Sequence, residues 1–216
     1  MKIILTHKNT DFDALASLVA AHKLYPDAIP ILGYLQNRRV HEFVRLHKDA
    51  FNLKSPKDIN WENVTDIILV DFQELSRADG LENKDLSDKN INWTIYDHHP
   101  EQTMEVTPVY AEIKETGSTT GMLVKHLKEK GIKPTFLEAT LMAIGIHADT
   151  GHMTFPNTKV DDVLAVAWLL ENNADLNIIA EYTSFSLLDE QTELMNKLIE
   201  RIETHEYGKT KALFST

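Results

Sequence analysis

The sequence predicts an α/β fold: a three-layer domain whose mostly parallel sheet is covered by helices on both faces. Three observations carry that expectation. Short β-branched runs such as Ile67-Ile68-Leu69-Val70 alternate with longer stretches of helical apolar spacing, as in βαβ units. The strand-like runs are almost wholly apolar, as strands buried on both faces are. Several of them end abruptly in Asp or His, and the carboxyl ends of parallel strands are where such sheets bind ligands.

Taken in order, Lys2 to Thr6 reads as the first buried strand, and His7 to Asp13 as a loop. Ala14 to Tyr25 has Leu15, Leu18 and Val19 at core-facing helical spacing, and Pro26 closes it. Ala28 to Leu35 suits a second strand, and Arg38 to Lys48 a helix with Val40, Phe43 and Val44 on one face. Thr65 to Val70 is the clearest strand, ending at Asp71. A polar stretch containing Gly80 leads to Trp93-Thr94-Ile95-Tyr96, which ends in Asp97-His98-His99. Val109 to Lys114 suits another strand. Gly117-Ser118 turns into a helix over Thr119 to Lys130, stopped by Gly131 and Pro134. Thr135 caps the next helix, expected to end near Ile146, before Asp149-Thr150-Gly151. Val160 to Leu170 is an apolar helix with Asp161 and Asp162 near its positive end. Further helices are expected from Leu176 to about Tyr207, then a turn and a strand over Gly208 to Thr216 with no partner after it. The domain is thus expected over 1–200, with 201–216 as a connecting helix end and the start of a missing or truncated following module.

A chain of 216 residues with 43% hydrophobic and 25% charged residues can bury a sizeable core. It has no cysteine, which excludes disulfides and thiolate metal ligands. No apolar run is long enough for a signal peptide or a membrane span, so a cytoplasmic location is expected. A net charge of −11 argues against binding long duplex nucleic acid, which needs a basic surface. It allows a small phosphate ligand if a metal supplies local positive charge.

The segments that end in titratable residues can converge although they are far apart in sequence. They supply His7, Asp11 and Asp13; Asp71; Asp97, His98 and His99; and Asp149. Mixed carboxylate and imidazole donors suit Mn²⁺, Fe²⁺, Co²⁺ or Zn²⁺ rather than Ca²⁺. There are enough for two ions sharing a carboxylate. Two ions about 3.5–4 Å apart clamp the attacking and leaving oxygens of a phosphoryl group and make hydroxide available near neutral pH. Each residue also has a plainer reading. Asp11 and Asp13 could only cap the following helix, Asp71 could start a turn, and Asp149 could belong to a helix-stop turn. His147 and His152 read as local packing or a substrate rim. Lys8, Arg38 and Arg39 either meet substrate phosphate or lie on a solvated helix start. Trp61, Trp93 and Trp168 read as core, and the remaining histidines carry no assigned chemistry.

These residues resemble the DHH phosphoesterase superfamily, which includes RecJ-type exonucleases, small-oligonucleotide phosphodiesterases and family II inorganic pyrophosphatases. The matching motifs are His7-x-x-x-Asp11-x-Asp13, Leu69-Val70-Asp71, Asp97-His98-His99 and Asp149-Thr150-Gly151, with Gly117-Ser118-Thr119-Thr120 between the last two. The resemblance covers roughly residues 1 to 200 and implies a phosphoesterase, a hydrolase with two Mn²⁺ per chain (Mg²⁺ or Co²⁺ being alternatives). It implies that His7, Asp11, Asp71 and Asp149 hold one metal, and that Asp13, Asp71, His98 and Asp149 hold the other. His99 would contact the phosphate or assist the leaving group, supported by Asp97. The implied substrate is a phosphodiester or phosphoanhydride in a small phosphorylated molecule, a nucleotide or a short oligonucleotide. Inorganic pyrophosphate is the alternative, as is a catalytically silent metal- or nucleotide-binding regulatory domain. The family's smaller second domain has no counterpart after Asp149. The opening, through Ala21-His22-Lys23-Leu24-Tyr25-Pro26, is most similar to DHH domains that head long bacterial proteins carrying CBS domains and a tRNA nucleotidyltransferase (poly(A)-polymerase-like) module. The residues leave open whether the chain forms a homo-oligomer.

Overall fold

A computed structural model describes residues 1–47, 49–81, 90–100, 105–184, 189–208 and 210–215. The chain forms two compact units, Met1–Thr183 and Ser184–Thr216.

The first unit is built on a parallel sheet of five strands: β1 (Lys2–Leu5), β2 (Ala28–Ile31), β3 (Asp66–Val70), β4 (Asn92–Asp97) and β5 (Tyr110–Ile113). Their order is β2-β1-β3-β4-β5. Lys2 pairs with both Ala28 and Asp66, and Ile68 lies opposite Thr94, so the carboxyl ends share one edge.

The inner strands are apolar throughout because side chains on alternate faces enter different cores. Ile4, Ile68, Val70 and Tyr96 enter one hydrophobic cluster. Ile3, Leu5, Ile67, Leu69, Trp93 and Ile95 enter the other. Helices α1 (Phe12–Leu24), α2 (Arg38–His47), α3 (Thr119–Glu129), α4 (Phe136–Asp149), α5 (Val160–Glu171) and α6 (Leu176–Thr183) supply residues to the first cluster. The second face is closed by Ile59, Trp61, Val64, Phe72, Ala78 and Leu81, from segments that include the 3-10 helices Pro56–Asp58, Trp61–Asn63 and Leu75–Arg77. The predicted α/β class is therefore the observed one. The tryptophans pack in the core as expected, each with at most 9% of its surface exposed.

Three expected boundaries are corrected. β2 stops at Ile31 rather than Leu35, because Leu32 donates its backbone N–H to Lys54 and the chain then turns to bond with Thr10. Helix α4 runs three residues beyond Ile146, so Asp149 is its last residue rather than part of a following turn. The stretch to Tyr207 is not all helical.

The second unit holds α7 (Asp189–Glu200) and an antiparallel hairpin of β6 (Glu203–Tyr207) and β7 (Thr210–Phe214). The C-terminal strand thus has a partner, which precedes it. Gly208, at φ +63, supplies the positive φ that a two-residue hairpin turn requires. The expected boundary after residue 200 lies inside this unit. Lys48 at the expected end of α2, residues 185–188 of the last expected helical stretch, and Lys209 and Thr216 of the expected strand lie outside the described residues.

Candidate metal centre

Each candidate side chain is delivered by the end of a regular element. The chain leaving β1 presents His7, whose Nδ1 donates to the Lys8 carbonyl at 2.6 Å. A carbonyl only accepts, so Nδ1 carries a proton, and in the neutral ring the Nε2 lone pair is left to face inward. Nε2 lies 3.3 Å from Asp71 Oδ2 and 3.8 Å from Asp11 Oδ2. Asp11 is the N-cap of α1 and accepts from Ala14 N at 3.0 Å. It therefore serves the capping role and faces His7 with its other oxygen.

Asp13 does not cap its own helix. It is fully buried, and its two oxygens accept the Thr119 and Thr120 N–H groups at 2.8 and 3.0 Å. Those donors are the first turn of α3, where the helix end favours an anion. Thr119 Oγ1 donates to Asp71 Oδ1 at 2.9 Å, so one helix start grips two candidate ligands. Asp71 follows β3 with φ +69, an uncommon backbone state for a residue with a side chain. Its N–H bonds the Tyr96 carbonyl while the chain turns sharply at the sheet edge.

β4 ends in the Asp97-His98-His99 run. His98 Nδ1 donates to the Thr116 carbonyl at 3.2 Å. Its Nε2 then faces Asp149 Oδ2 at 3.3 Å, Asp71 Oδ1 at 3.4 Å and Asp13 Oδ2 at 3.9 Å. That nitrogen is buried and makes no hydrogen bond with any of them. Asp97 points away from this cluster: Oδ1 accepts from His99 Nδ1 at 2.8 Å, and Oδ2 from Gln73 Nε2 at 2.7 Å. Gln73 also donates to the Pro100 carbonyl at 3.2 Å. It belongs to the site although no sequence pattern marked it.

The electrostatics follow from this crowding. Burial, then the charges of Asp71 and Asp149, hold the Asp13 carboxyl well above the usual carboxylate range. Burial and the Asp71 charge also raise Asp11. Burial alone would raise Asp71 too, but its hydrogen bond with His7 and the charge of His98 lower it overall. Burial alone would lower His98, yet its contact with Asp149 and the charges of Asp13 and Asp71 push it up to about 10. His7 is raised in the same way, chiefly by Asp71 against its burial. The hydrogen bond to Asp97 raises His99. With no metal bound, a proton on an imidazole here offsets carboxylate repulsion.

A divalent cation would do so more strongly, and the donors fit one. Three sets of donor atoms each lie within 4.8 Å of one another: His7, Asp11 and Asp71; Asp13, His98 and Asp149; and Asp71, His98 and His99. Donors around a small octahedral cation sit about 3 Å apart when metal–ligand distances are about 2.1 Å. The buried, unbonded His98 Nε2 among three carboxylates is the arrangement a metal ligand presents.

His147 and His152 join none of these sets. Their rings are 5.5 Å apart, burial holds His147 below the usual imidazole range, and its Nδ1 is buried without a hydrogen-bond partner among the described residues. His152 Nε2 contacts the Thr183 carbonyl at 3.4 Å. Of the expected phosphate contacts, Arg38 pairs with Glu42 at 3.1 Å, Arg39 donates to the Tyr182 carbonyl and Lys8 to the Ser76 carbonyl.

The family model described as "DHH family, N-terminal domain" matches residues 2–146. An A-adding tRNA nucleotidyltransferase of Geobacter sulfurreducens is 38% identical over 205 residues, covering 94% of this chain and 23% of that protein. A probable manganese-dependent inorganic pyrophosphatase of Brevibacillus brevis is 30% identical over 212 residues, covering 94% of this chain and 64% of that protein. Among solved structures, a putative family II inorganic pyrophosphatase of Methanococcus jannaschii matches with a TM-score of 0.67 at 23% identity, over 98% of this chain and 69% of that one. An exopolyphosphatase-related protein of Bacteroides fragilis matches at 0.70 and 17%, over 94% and 62% of the two chains. At those identities the structures speak for the fold alone. The chain spans less than a quarter of the nucleotidyltransferase it matches.

Proposed function

The chain belongs to the DHH family, and from that premise we propose that residues 1–200 are a dinuclear, divalent-metal phosphoesterase domain that hydrolyses a phosphodiester or phosphoanhydride bond. The observation that carries the reading is His98 Nε2, buried, unbonded and ringed by Asp13, Asp71 and Asp149. In this reading His7, Asp11, Asp71 and Asp149 hold one Mn²⁺, and Asp13, Asp71, His98 and Asp149 hold the other, with Asp71 and Asp149 shared. Bound ions of this kind supply Lewis-acid polarisation of phosphoryl oxygens and a water of lowered pKa.

The chain's own residues do the rest. Thr119 and Thr120 hold Asp13 and Asp71 in place from the start of α3. Asp97 fixes His99 with its Nδ1 protonated, and the same bond raises its pKa, so His99 keeps a proton to give to the leaving oxygen. Gln73 keeps Asp97 in that position. The substrate is a small phosphorylated molecule, a nucleotide or short oligonucleotide. A net charge of −11 supports this over a long duplex. The same reading places the domain in the cytoplasm. No helix among the described residues is long and apolar enough to cross a membrane.

The 38% identity to part of a tRNA nucleotidyltransferase supports a second reading, in which the domain serves a longer tRNA-processing protein and binds metal or nucleotide without turnover. The similarity to a probable pyrophosphatase supports pyrophosphate as a substrate to include in any panel.

Titration calorimetry with Mn²⁺ tests the shared premise. About two ions should bind each chain, and Asp71→Asn, which weakens a shared carboxylate, should cripple binding of both. Full-strength binding by that variant would refute the dinuclear assignment. Turnover of a nucleotide or short oligonucleotide by the loaded protein then separates enzyme from silent binder.

A further inference from the structure

Asp162 is fully buried, on the first turn of α5, and belongs to none of the three donor sets. Its carboxylate accepts the Lys159 N–H at 2.9 Å, as a local cap. It also reaches across to the turn that precedes α3. Oδ2 accepts the Gly117 N–H at 3.0 Å and the Thr116 hydroxyl at 3.4 Å, and Oδ1 accepts the Ser118 hydroxyl at 3.2 Å. A buried carboxylate is costly unless its oxygens are satisfied this fully.

The contact is close enough to dictate the residues opposite. A Cβ at Gly117 would lie 2.4 Å from Asp162 Oδ2 and 2.7 Å from Thr150 Cγ2, and one at Gly121 would lie 2.6 Å from Oδ1.

The gripped turn touches the candidate centre at several points. The Thr116 carbonyl holds His98 Nδ1, and so decides which nitrogen of His98 faces the carboxylates. Thr119 and Thr120 hold Asp13, and Thr119 also holds Asp71. The Thr150 methyl packed against Gly117 belongs to the residue after Asp149.

We propose that Asp162 is the positioning residue of the candidate metal centre, fixing the Asp13–His98–Asp149 site through the 116–118 turn more tightly than the His7–Asp11 side, which that turn reaches only through shared ligands such as Asp71. The inference rests on the two-metal reading above. It assigns to α5, an element that contributes no ligand, control over one of the two ions.

The test is Mn²⁺ titration of the whole chain as wild type, Asp162→Asn and Leu169→Ala. The last variant removes a fully buried α5 side chain and loosens that helix by ordinary core loss. Positioning predicts that Asp162→Asn binds one ion roughly 10- to 100-fold more weakly than the wild type and the other with a clearly smaller loss, as outer-shell losses do. Leu169→Ala, at equal or greater loss of thermal stability, keeps both. Two unaltered ions in Asp162→Asn, or parallel weakening of both in the two variants, would overturn the proposal. If Asp162→Asn does not fold, Thr116→Val removes a hydroxyl that donates to Asp162 while keeping the Thr116 carbonyl, and the same split is expected of it. If the wild type binds no Mn²⁺, the metal reading falls by itself. The positioning claim is then decided by histidine-ring nitrogen NMR. Loss of the hydrogen-bonded Nδ1–H of His98, which the Thr116 carbonyl holds in the neutral and the charged ring alike, supports it in Asp162→Asn, and an unchanged Nδ1–H refutes it.

Discussion

Gly145→Ala puts the packing behind the site to a direct test. Gly145 lies in the last third of α4, where that helix crosses α1. A Cβ there would meet Ala16 Cβ at 2.7 Å, the Phe12 carbonyl oxygen at 2.9 Å and Thr120 Oγ1 at 3.1 Å. The methyl group of Ala16 and a backbone carbonyl cannot swing aside as a long side chain would, so the helices must separate. Overpacking of this kind costs about 1–3 kcal/mol, and the contact with a carbonyl argues for the upper end. Replacing a mid-helix glycine by alanine returns about 1 kcal/mol. The net loss is about 2 kcal/mol, or about 4–8 °C in melting temperature for a unit of this size. Because α1 begins at Asp11–Asp13 and α4 ends at Asp149, the same separation should weaken Mn²⁺ binding. Thermal unfolding followed by circular dichroism, with calorimetry on the folded variant, reads both effects. A melting temperature at or above wild type would refute the argument, since it would mean that α1 and α4 do not approach as closely as these distances require.

Two further outcomes concern the charges. His98, raised from 6.5 to about 10, stabilises the metal-free fold fully below its unfolded pKa and loses that contribution as pH rises toward its folded pKa; Asp13, also raised, acts in the same sense. Melting of the metal-free protein should therefore fall between about pH 7 and about pH 9, while the increment from Mn²⁺, whose binding releases the His98 proton, should grow over the same range. An increment that shrinks over that range would contradict the assignment of His98 as a ligand. Gln73→Leu removes the donor to Asp97 and should lower turnover about 10-fold while leaving Mn²⁺ stoichiometry unchanged; loss of an ion would instead place Gln73 in the metal's own support.

Much of this arrangement was legible because the chain marks its strand ends. Ile67 to Val70 is a buried run that stops at Asp71, and Trp93 to Tyr96 stops at Asp97, so apolar periodicity and the sudden titratable residue point to the same place. The helix end at Asp149 was less legible. Thr150-Gly151 reads as a stop signal, but tertiary packing of Ile144 and Ile146 in the core carries α4 through to Asp149. Gln73 carried no signal at all, and Asp162 read only as a charge at the positive end of its own helix. Their partners, Asp97 and the 116–118 turn, are 24 and more than 40 residues away, and only the folded sheet brings them together. The hairpin at the C-terminus was missed for another reason. Glu203 to Tyr207 has neither clear helical nor clear alternating apolar spacing, and its pairing with β7 decides the structure.

The strand order carries a consequence of its own. The candidate ligands leave the sheet from β1, β3 and β4, which are its three inner strands, with α4 adding Asp149. The outermost strands, β2 and β5, supply none of them. Reactive chemistry and the periphery are thus written in separate parts of the chain. Side chains on those two strands can be exchanged without replacing a candidate ligand, so the outer strands are where the same arrangement of ligands can acquire different surroundings.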